Sequence, residues 1–315
     1  MAKFIFKRVL SAIPTLLIVL VLVFILMRML PGSAVYGMVD DDVTQEQIEE
    51  LEEKYGFNDP LPVQFFNYMK DILTGNWGTS YFNGRGVFEN MANRYEPTIL
   101  IAICSTIITV LVGVPIGILG ATHRNSLLDY ALTGFSLTFL IVPSFWLATM
   151  MVYLLALTWG IFPVQGYKFI ADVGLAQSLY YVAMPCIALG MTHVASVARN
   201  TRSAMLNVLN EDFIRTARAK GLSKGKVQYK HALKNVMSLL CTQIFASIAS
   251  MLGGSTIVEK IFNIEGVGKL AYDSLMRRDY SQEQAIVIFM AIIFIVMNIL
   301  LDIIYKIIDP RVDFG

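Results

Sequence analysis

Six long apolar runs constrain this chain of 315 residues more than any other feature of its sequence. Each run is long enough to cross a bilayer, since about 20 helical residues at a rise of 1.5 Å cover roughly 30 Å. Lipid offers backbone amides no hydrogen-bond partner, so segments of this kind must be helical. The runs therefore predict an all-α membrane protein with six transmembrane helices. They lie at about 9–30, 98–120, 131–157, 179–199, 237–258 and 284–306.

The first and third runs carry additional signals. The first follows the basic opening MAKFIFKRVL, but it is longer than the apolar core of a signal peptide, which has about 7–15 residues. We therefore expect it to remain as an anchor. The third contains Pro143. This proline removes a backbone donor and predicts a kink or a split that neighbouring helices can accommodate.

The composition agrees with a membrane protein and argues against other classes. The chain is 56% hydrophobic and 16% charged, whereas soluble domains carry about 25% charged residues. The basic residues lack interleaved aromatics and lie between the apolar runs, so no nucleic-acid partner is expected. Cys104, Cys186 and Cys241 occur singly in apolar surroundings. We interpret them as small buried hydrophobes rather than as a metal site or a disulfide framework.

The distribution of Lys and Arg orients the spans. Residues 199–236 contain nine Lys or Arg and two acids, whereas residues 31–97 contain twelve Asp or Glu and four Lys or Arg. Since cytoplasmic loops are enriched in Lys and Arg, both termini and the 199–236 loop are predicted to be cytoplasmic. The protein is thus expected to be multi-pass, and lipid is an expected partner.

The outer segment 31–97 is too long to be a simple turn. Thr44 followed by Gln47 predicts a capping box at the start of a short helix, and Gly56 and Gly75 predict helix ends. We expect a small extracytoplasmic helical insertion after the first helix. An acidic solvated cap and a contact with an external partner both remain open.

These features divide the chain into three parts. We expect an N-terminal anchor helix at 1–30, an extracytoplasmic helical subdomain at 31–97 and a five-helix core at 98–315. The core contains a cytoplasmic loop at about 200–236.

The sequence offers no catalytic or nucleotide-binding set. GLSKGKV at 221–227 has neither the glycine spacing nor the hydroxyl residue of the phosphate-loop motif G-x-x-x-x-G-K-[ST]. The three histidines are far apart, and no Asp/Glu/His chain crosses the membrane as a proton-driven transporter would require. We therefore expect no enzyme, no cofactor and no metal in this chain, and an energy source in another chain.

The segment 211–235 is the most basic part of the loop. Glu211 and Asp212 are placed to start a helix, and Gly221 is placed to end it in a left-handed conformation. Ala217 and Gly221 are four residues apart, so we expect a small face that another surface can approach closely. A second helix at about 223–235, with Val227, His231 and Leu233 on its buried side, is expected to lead back to the membrane. A basic loop that contacts anionic lipid headgroups is the alternative.

At this point the sequence resembles a known family. RTARAKGL followed by KHALKN is similar to the cytoplasmic loop of binding-protein-dependent ABC importers, in its oligopeptide, dipeptide and nickel permease branch. With Gly221 as the anchor glycine, Arg215 stands where the general family has its first glutamate and Lys234 where it has its last proline. The resemblance to the first of the two permease subunits continues along the chain. It is carried by FKRVLSAIPTLLIVLVLVFILMRMLPG, GVPIGILGA, PSFW, FPVQGY, VEKIFNIEGVGKL and LDIIYKIIDPRVDFG.

The resemblance implies a type I ABC importer permease fold in the inner membrane of a bacterial or archaeal cell. It also implies three kinds of partner: a second, similar permease, two ATPase subunits that bind ATP and Mg, and an extracellular or periplasmic solute-binding protein. A short helix of the loop would dock in a groove of the ATPase. The residues expected there are Asp212, Arg215, Thr216, Ala217, Arg218, Ala219, Lys220, Gly221 and Leu222.

The transport path is weakly marked. Gln243, Ser247, Ser250 and Thr256 are expected roughly along one side of the fifth run. His193, within the fourth run, is either part of the path or an interhelical hydrogen-bonding residue.

The resemblance implies oligopeptides or dipeptides as cargo. Nickel, a metal chelate and glutathione remain alternatives within the same architecture. An ATP-independent channel or secondary transporter is the alternative from another class.

Overall fold

A computed structural model describes residues 2–29, 34–37 and 44–308. Parts of the expected insertion at 31–97, and the end of the family-like closing stretch after Ile308, lie outside these residues. Within them the helices are joined by turns and loops, and the only β-structure is one isolated bridge between Thr79 and Gly86. The expected all-α class is confirmed for this part of the chain.

The helices follow one another along the whole described chain. The α-helices are α1 Ala2–Met29, α2 Gln45–Lys54, α3 Leu61–Thr74, α4 Val87–Ala92, α5 Tyr95–Ile108, α6 Val114–Thr122, α7 Leu127–Ile141, α8 Ser144–Met151, α9 Ile170–Val173, α10 Leu175–Leu209, α11 Asp212–Ala219, α12 Leu233–Ile261, α13 Val267–Met276 and α14 Tyr280–Ile308. Short π-helical segments at Thr109–Gly113, Val152–Thr158 and Lys226–Ala232 join or extend them.

The six expected spans are all present as apolar helices. Five are long and apolar enough to cross a membrane, and a bent pair makes six. The bent pair consists of Leu127–Ile141 and Ser144–Thr158, which meet at 96°. Pro143 stands at this break and is the N-cap residue of α8. The expected split at Pro143 is confirmed, and the bend is much sharper than a kink.

Two helices extend well beyond the apolar runs that predicted them. The fourth run was expected to end at residue 199, but α10 continues to Leu209 and buries Met205 there. The helix expected at about 223–235 is present and leads back to the membrane, but it does not end at residue 235, because the π-helical segment Lys226–Ala232 runs directly into α12. Hydropathy marks only the lipid-facing part of a helix, whereas packing against other helices sustains its polar continuation.

One compact unit comprises Met1–Glu96 and Glu265–Ile295. Its local signals behave as the sequence predicts: Thr44 and Gln47 form a capping box, and Gly75 ends α3 with φ of 80°. The unit also includes residues that we expected in the five-helix core. Hydrogen bonds to Asp279 join these residues to the outer segment. The buried carboxylate of Asp279 accepts from Ser80 Oγ (2.5 Å) and Tyr81 N (3.1 Å).

The second compact unit comprises Pro97–Ile264 and Val296–Gly315. In it α10 is the central helix, and α6 packs closely against it at small residues. A Cβ atom added at Gly117 would lie 2.6 Å from the carbonyl oxygen of Ala198, and one added at Gly113 would lie 3.1 Å from that of Val194. These glycines therefore let the two helix backbones approach each other.

Candidate functional site

The short helix α11 lies between the two longest helices of the second unit, α10 and α12. Its inner face is formed by Ile214 and Ala217, which are 0% and 6% exposed. They are three residues apart, so they lie on the same side of the helix. Both belong to a buried cluster that also contains Met205 of α10, Val227 of the π-helical segment and Leu240 of α12. The helix is thus fixed to the ends of both neighbouring helices.

This packing corrects the expected docking face. Ala217 was expected to share an open small face with Gly221, but it is buried against the chain's own core. Its small side chain lets α11 approach its own chain rather than a partner. The small residue on the opposite, exposed face is Ala219, which lies four residues after Arg215.

The rest of the expected docking set is accessible. Leu222 is half-buried, and its N–H donates to Ala217 O over 3.4 Å. Gly221 has φ of 77°, as expected for a left-handed helix end, and a Cβ added there would meet no atom within 4 Å. The exposed residues are Asp212, Arg215, Thr216, Arg218, Ala219, Lys220 and Gly221.

Local contacts organise the exposed face. Arg215 Nη1 lies 3.1 Å from Asp212 Oδ1, and Thr216 Oγ1 donates to Asp212 O over 3.0 Å. The ion pair is fully solvated, so it contributes little to stability. Phe213, in the first turn, is 43% exposed and was not among the predicted contacts. The signal for it was present in the sequence, because an aromatic residue beside two acids does not fit a solvated helix start.

The beginning of α12 is held by the same cluster. Val227 and Ala232 are 2% and 0% exposed, whereas His231 and Leu233 are half-buried. The burial predicted for Val227 is confirmed. One cluster therefore holds the end of α10, α11 and the start of α12 together.

A partly buried ion pair, which the sequence did not reveal, ties α7 to α10. Arg202 donates from Nε to Asp129 Oδ1 and from Nη2 to Asp129 Oδ2, both over 2.7 Å. Asp129 is 2% exposed and also accepts from the backbone N–H of Asn125 over 3.0 Å. The two partners are 73 residues apart in the chain, so no local pattern could have paired them.

The predicted path residues do not share one side of α12. Gln243 faces α10, where its Nε2 donates to Ser196 Oγ over 3.3 Å, and Ser247 is 7% exposed. Ser250 is exposed on the same side as Gln243, seven residues later. Thr256 follows Gln243 by thirteen residues, which at about 100° per residue turns it roughly 140° away. The expectation that Thr256 lies on the same side is wrong.

Two further polar side chains of this unit lie on α10 and α12. His193 is half-buried on α10, three residues before Ser196. Glu259, near the end of α12, is 0% exposed and accepts hydrogen bonds from Thr98 Oγ1 (2.8 Å) and Ser255 Oγ (2.9 Å). A buried carboxylate that is bonded in this way fixes α12 against the start of the second span.

Two family models match the chain. The family described as "Binding-protein-dependent transport system inner membrane component" matches residues 113–314. Its N-terminal companion, described as "Binding-prot-dependent transport system membrane comp, N-term", matches residues 1–102.

Full-length relatives agree with these matches. The chain is 36% identical to the "Probable peptide ABC transporter permease protein y4tP" of Sinorhizobium fredii (strain NBRC 101917 / NGR234), over 99% of both chains. It is 36% identical to the "Oligopeptide transport system permease protein AppB" of Bacillus subtilis (strain 168), over 100% of both. It is also 36% identical to the "Glutathione transport system permease protein GsiC" of Salmonella typhi, over 99% of both.

Solved structures show the same fold. Two crystal forms of the MetNI methionine ABC transporter in inward-facing conformations are similar to this chain at 16% sequence identity. The TM-scores are 0.56 and 0.58, and the similarity covers 68% and 69% of this chain and 93% and 95% of the matched chains.

Proposed function

This chain belongs to the family of binding-protein-dependent transport system inner membrane components, and from this premise we propose that it forms half of the translocation pathway of an ATP-driven importer. The observation that carries the proposal is the position of α11. An eight-residue helix is fixed by Ile214 and Ala217 to a core shared with α10 and α12, and it presents Arg215 and Ala219 outward.

The proposed mechanism follows from this attachment. The helix α10 has 35 residues, so it is about 52 Å long and exceeds the hydrocarbon core of a bilayer by roughly 20 Å. A partner that moves α11 also moves the projecting end of α10 and the start of α12. ATP then shifts the population between two states of the pathway, because the ATPase has different affinities for them.

The partners of the proposed importer are a second, similar permease, two ATPase subunits and an external solute-binding protein. ATP and Mg are bound by the ATPase subunits, and this chain acts as a permease rather than an enzyme. In the docked state Arg215, Ala219, Lys220 and Gly221 contact a groove of the ATPase. Phe213 contributes an apolar edge at the start of the same surface.

The proposed topology places both termini and α11 in the cytoplasm of a bacterial or archaeal cell, with residues 31–97 on the other side of the inner membrane. The excess of Lys and Arg in 199–236 supports this orientation. We retain 1–30, 31–97 and 98–315 as a functional division into anchor, outer subdomain and permease core.

The proposed cargo is a peptide, and two of the full-length relatives are named as peptide permeases. Glutathione is the second candidate, since an equally similar relative is named as a glutathione permease. We propose that Gln243, Ser250 and His193 contribute to the path. Ser247 is buried, and its Oγ donates to the backbone carbonyl of Gln243 over 2.8 Å.

The test of coupling uses the complete importer in proteoliposomes with its binding protein. Ala219→Trp places an indole on the exposed face of α11 without touching the buried cluster. We expect the complex to assemble with unchanged thermal stability and to lose at least nine-tenths of its ATP-driven peptide uptake. Ala219→Ser, which keeps the residue small, is the matched control and should transport as the wild type does.

Three outcomes would contradict parts of the proposal. Wild-type uptake by Ala219→Trp would refute the docking surface. Uptake that continues without ATP would refute the importer mechanism. Accumulation of glutathione but not of mixed oligopeptides would keep the mechanism and replace the cargo.

A further inference from the structure

A polar cavity of about 290 Å³ lies in the unit formed by 1–96 and 265–295. It is lined by residues from the end of α1, from α3 and from the start of α14. A water molecule occupies about 30 Å³ in the liquid, so the cavity is much larger than a site for one bound water. It is close to the smallest pockets that hold small ligands, about 300 Å³. The proposed transport mechanism does not use it.

Two of the residues that line this cavity carry a buried donor without a partner in the described part of the chain. The Nε2 group of Gln284 is one, and the Gln284 residue is 9% exposed. The hydroxyl of Tyr68 is the other. Burial raises the pKa of Tyr68, so the hydroxyl keeps its proton at neutral pH. Unpaired buried donors are costly, and both would be satisfied by a bound acceptor.

A fixed cation also lines the cavity. Arg28, in the last turn of α1, lines the cavity. Its Nε donates to Gln64 Oε1 over 2.7 Å, and its guanidinium carbon lies 3.6 Å from the centre of the Phe24 ring. These contacts hold the guanidinium in place. A guanidinium together with two neutral donors is the donor set that binds an oxyanion such as phosphate.

The more exposed lining residues have the opposite charge. Asp59 and Asp71 are both exposed and both line the cavity, together with the half-buried ring of Trp77. Carboxylates beside an aromatic ring favour an ammonium group. The cavity therefore combines a buried site for an anion with an exposed site for a cation, which is complementary to a zwitterion.

The position of α3 sets the depth of the cavity in the membrane. The ring of Phe24 lies 5.1 Å from that of Phe65 and 5.5 Å from that of Tyr68. Phe24 precedes the end of α1 by five residues, or about 7.5 Å along the helix, so α3 packs beside the last turns of a membrane span. Phe66 and Leu73, seven residues apart on α3, are 69% and 79% exposed. An amphipathic helix of this kind lies at the boundary between headgroups and acyl chains.

We propose that this cavity binds the headgroup of a zwitterionic phospholipid of the phosphatidylethanolamine type. The phosphate lies against Arg28, Tyr68 and Gln284, and the ammonium group lies toward Asp59 and Asp71. The order of charges agrees with the lipid, in which the phosphate is next to the glycerol and the ammonium is farther from the acyl chains. Arg28 belongs to the membrane helix, whereas the two acids follow it in the segment outside the span.

The test measures lipid binding to the delipidated full complex in detergent, with water-soluble dihexanoyl phosphatidylethanolamine as the probe. Tyr68→Phe and Gln284→Met each remove one unpartnered donor with little change in volume. Without lipid, each variant should be as stable to heat as the wild type, or more so, since no protein hydrogen bond is lost. With lipid, each should raise the Kd about tenfold, because a hydrogen bond to a charged group is missing. Tyr130→Phe, at a tyrosine that is 64% exposed and outside the cavity, is the matched control.

The remaining arms identify the ligand. Dihexanoyl phosphatidylglycerol, which lacks the ammonium group, should bind more weakly, and Asp71→Asn should reduce that difference. Equal binding of the two lipids to the wild type would overturn the zwitterion assignment, and unchanged Kd values in both donor variants would overturn the site. Displacement by glycerophosphoethanolamine or by a dipeptide at equal affinity would overturn the lipid and assign a free solute instead.

Discussion

The ion pair between Asp129 and Arg202 allows a quantitative test of how α7 is held on α10. We consider Asp129→Asn, which keeps the shape of the side chain but removes its charge. The change abolishes a bidentate contact with two distances of 2.7 Å and leaves a guanidinium without its counter-ion. Breaking a fully buried pair costs about 3–5 kcal/mol, whereas a fully exposed pair contributes about 0–1 kcal/mol.

The burial of the two side chains places the expected cost between these limits. Asp129 is 2% exposed, but the Arg202 side chain is 31% exposed, so water takes over part of the lost interaction. We therefore expect a loss of about 2 kcal/mol. For a chain of 315 residues, with an unfolding entropy of about 2.1 cal/mol/K per residue, this lowers the melting midpoint by about 3 °C.

The assay is the thermal unfolding of the purified complex in detergent, for both single variants and the double variant. Arg202→Met leaves the buried carboxylate of Asp129 unpaired, so it should destabilise more than Asp129→Asn does. The double variant has neither orphan charge and should be at least 1 kcal/mol more stable than the sum of the single effects predicts. Additive single effects would refute the reasoning, because they would mean that the two charges do not interact.

Two further predictions concern a buried residue and a titratable one. Ala217→Trp forces an indole into the buried cluster and should destabilise the complex by about 1–3 kcal/mol. Ala219→Trp, on the exposed face, should not destabilise it. Equal melting midpoints for the two variants would contradict the assigned faces of α11. Burial alone would raise the pKa of Glu265, but Lys269 and Arg94 lower it by more. Arg94 Nη1 lies 2.8 Å from Glu265 Oε2, and the resulting pKa of Glu265 lies below the ordinary value of 4.5. The resulting stabilisation is present above pH 4.5 and is lost as the pH falls through the lowered pKa. The melting midpoints of the wild type and Glu265→Gln should therefore come closer together as the pH falls. The change should be small, since Glu265 is 56% exposed. A difference between the two midpoints that grows in acid would contradict this prediction.

The spans and the local helix signals could be predicted from the sequence because each has a local physical cause. Lipid requires helices wherever a long apolar run occurs, a capping pair lies within three residues, and a left-handed glycine ends a helix wherever it stands. Thr44, Gly75, Pro143 and Gly221 all act in the structure as their immediate neighbours predict.

The contacts that define the candidate site depend on distant parts of the chain. Asp129 and Arg202 are 73 residues apart, and Thr98 and Glu259 are 161 apart, so a sequence pattern gives no reason to pair them. The inner face of α11 was also hidden, because Ala217 and Ala219 are equally small on a helix of only eight residues. The two alanines differ only in the folded chain, where Met205 and Leu240 pack in the same buried cluster as Ala217.

The right-angle break at Pro143 has a consequence for how the chain is built into the membrane. The first N–H groups of α8 lack partners within that helix, and Pro143 supplies no side-chain cap. Phe145 and Trp146, beside these groups, are 52% and 50% exposed. Acyl chains cannot satisfy backbone amides, so a newly inserted copy is incomplete until another surface covers this bend. We therefore expect a copy made without partners to be a substrate for membrane proteolysis.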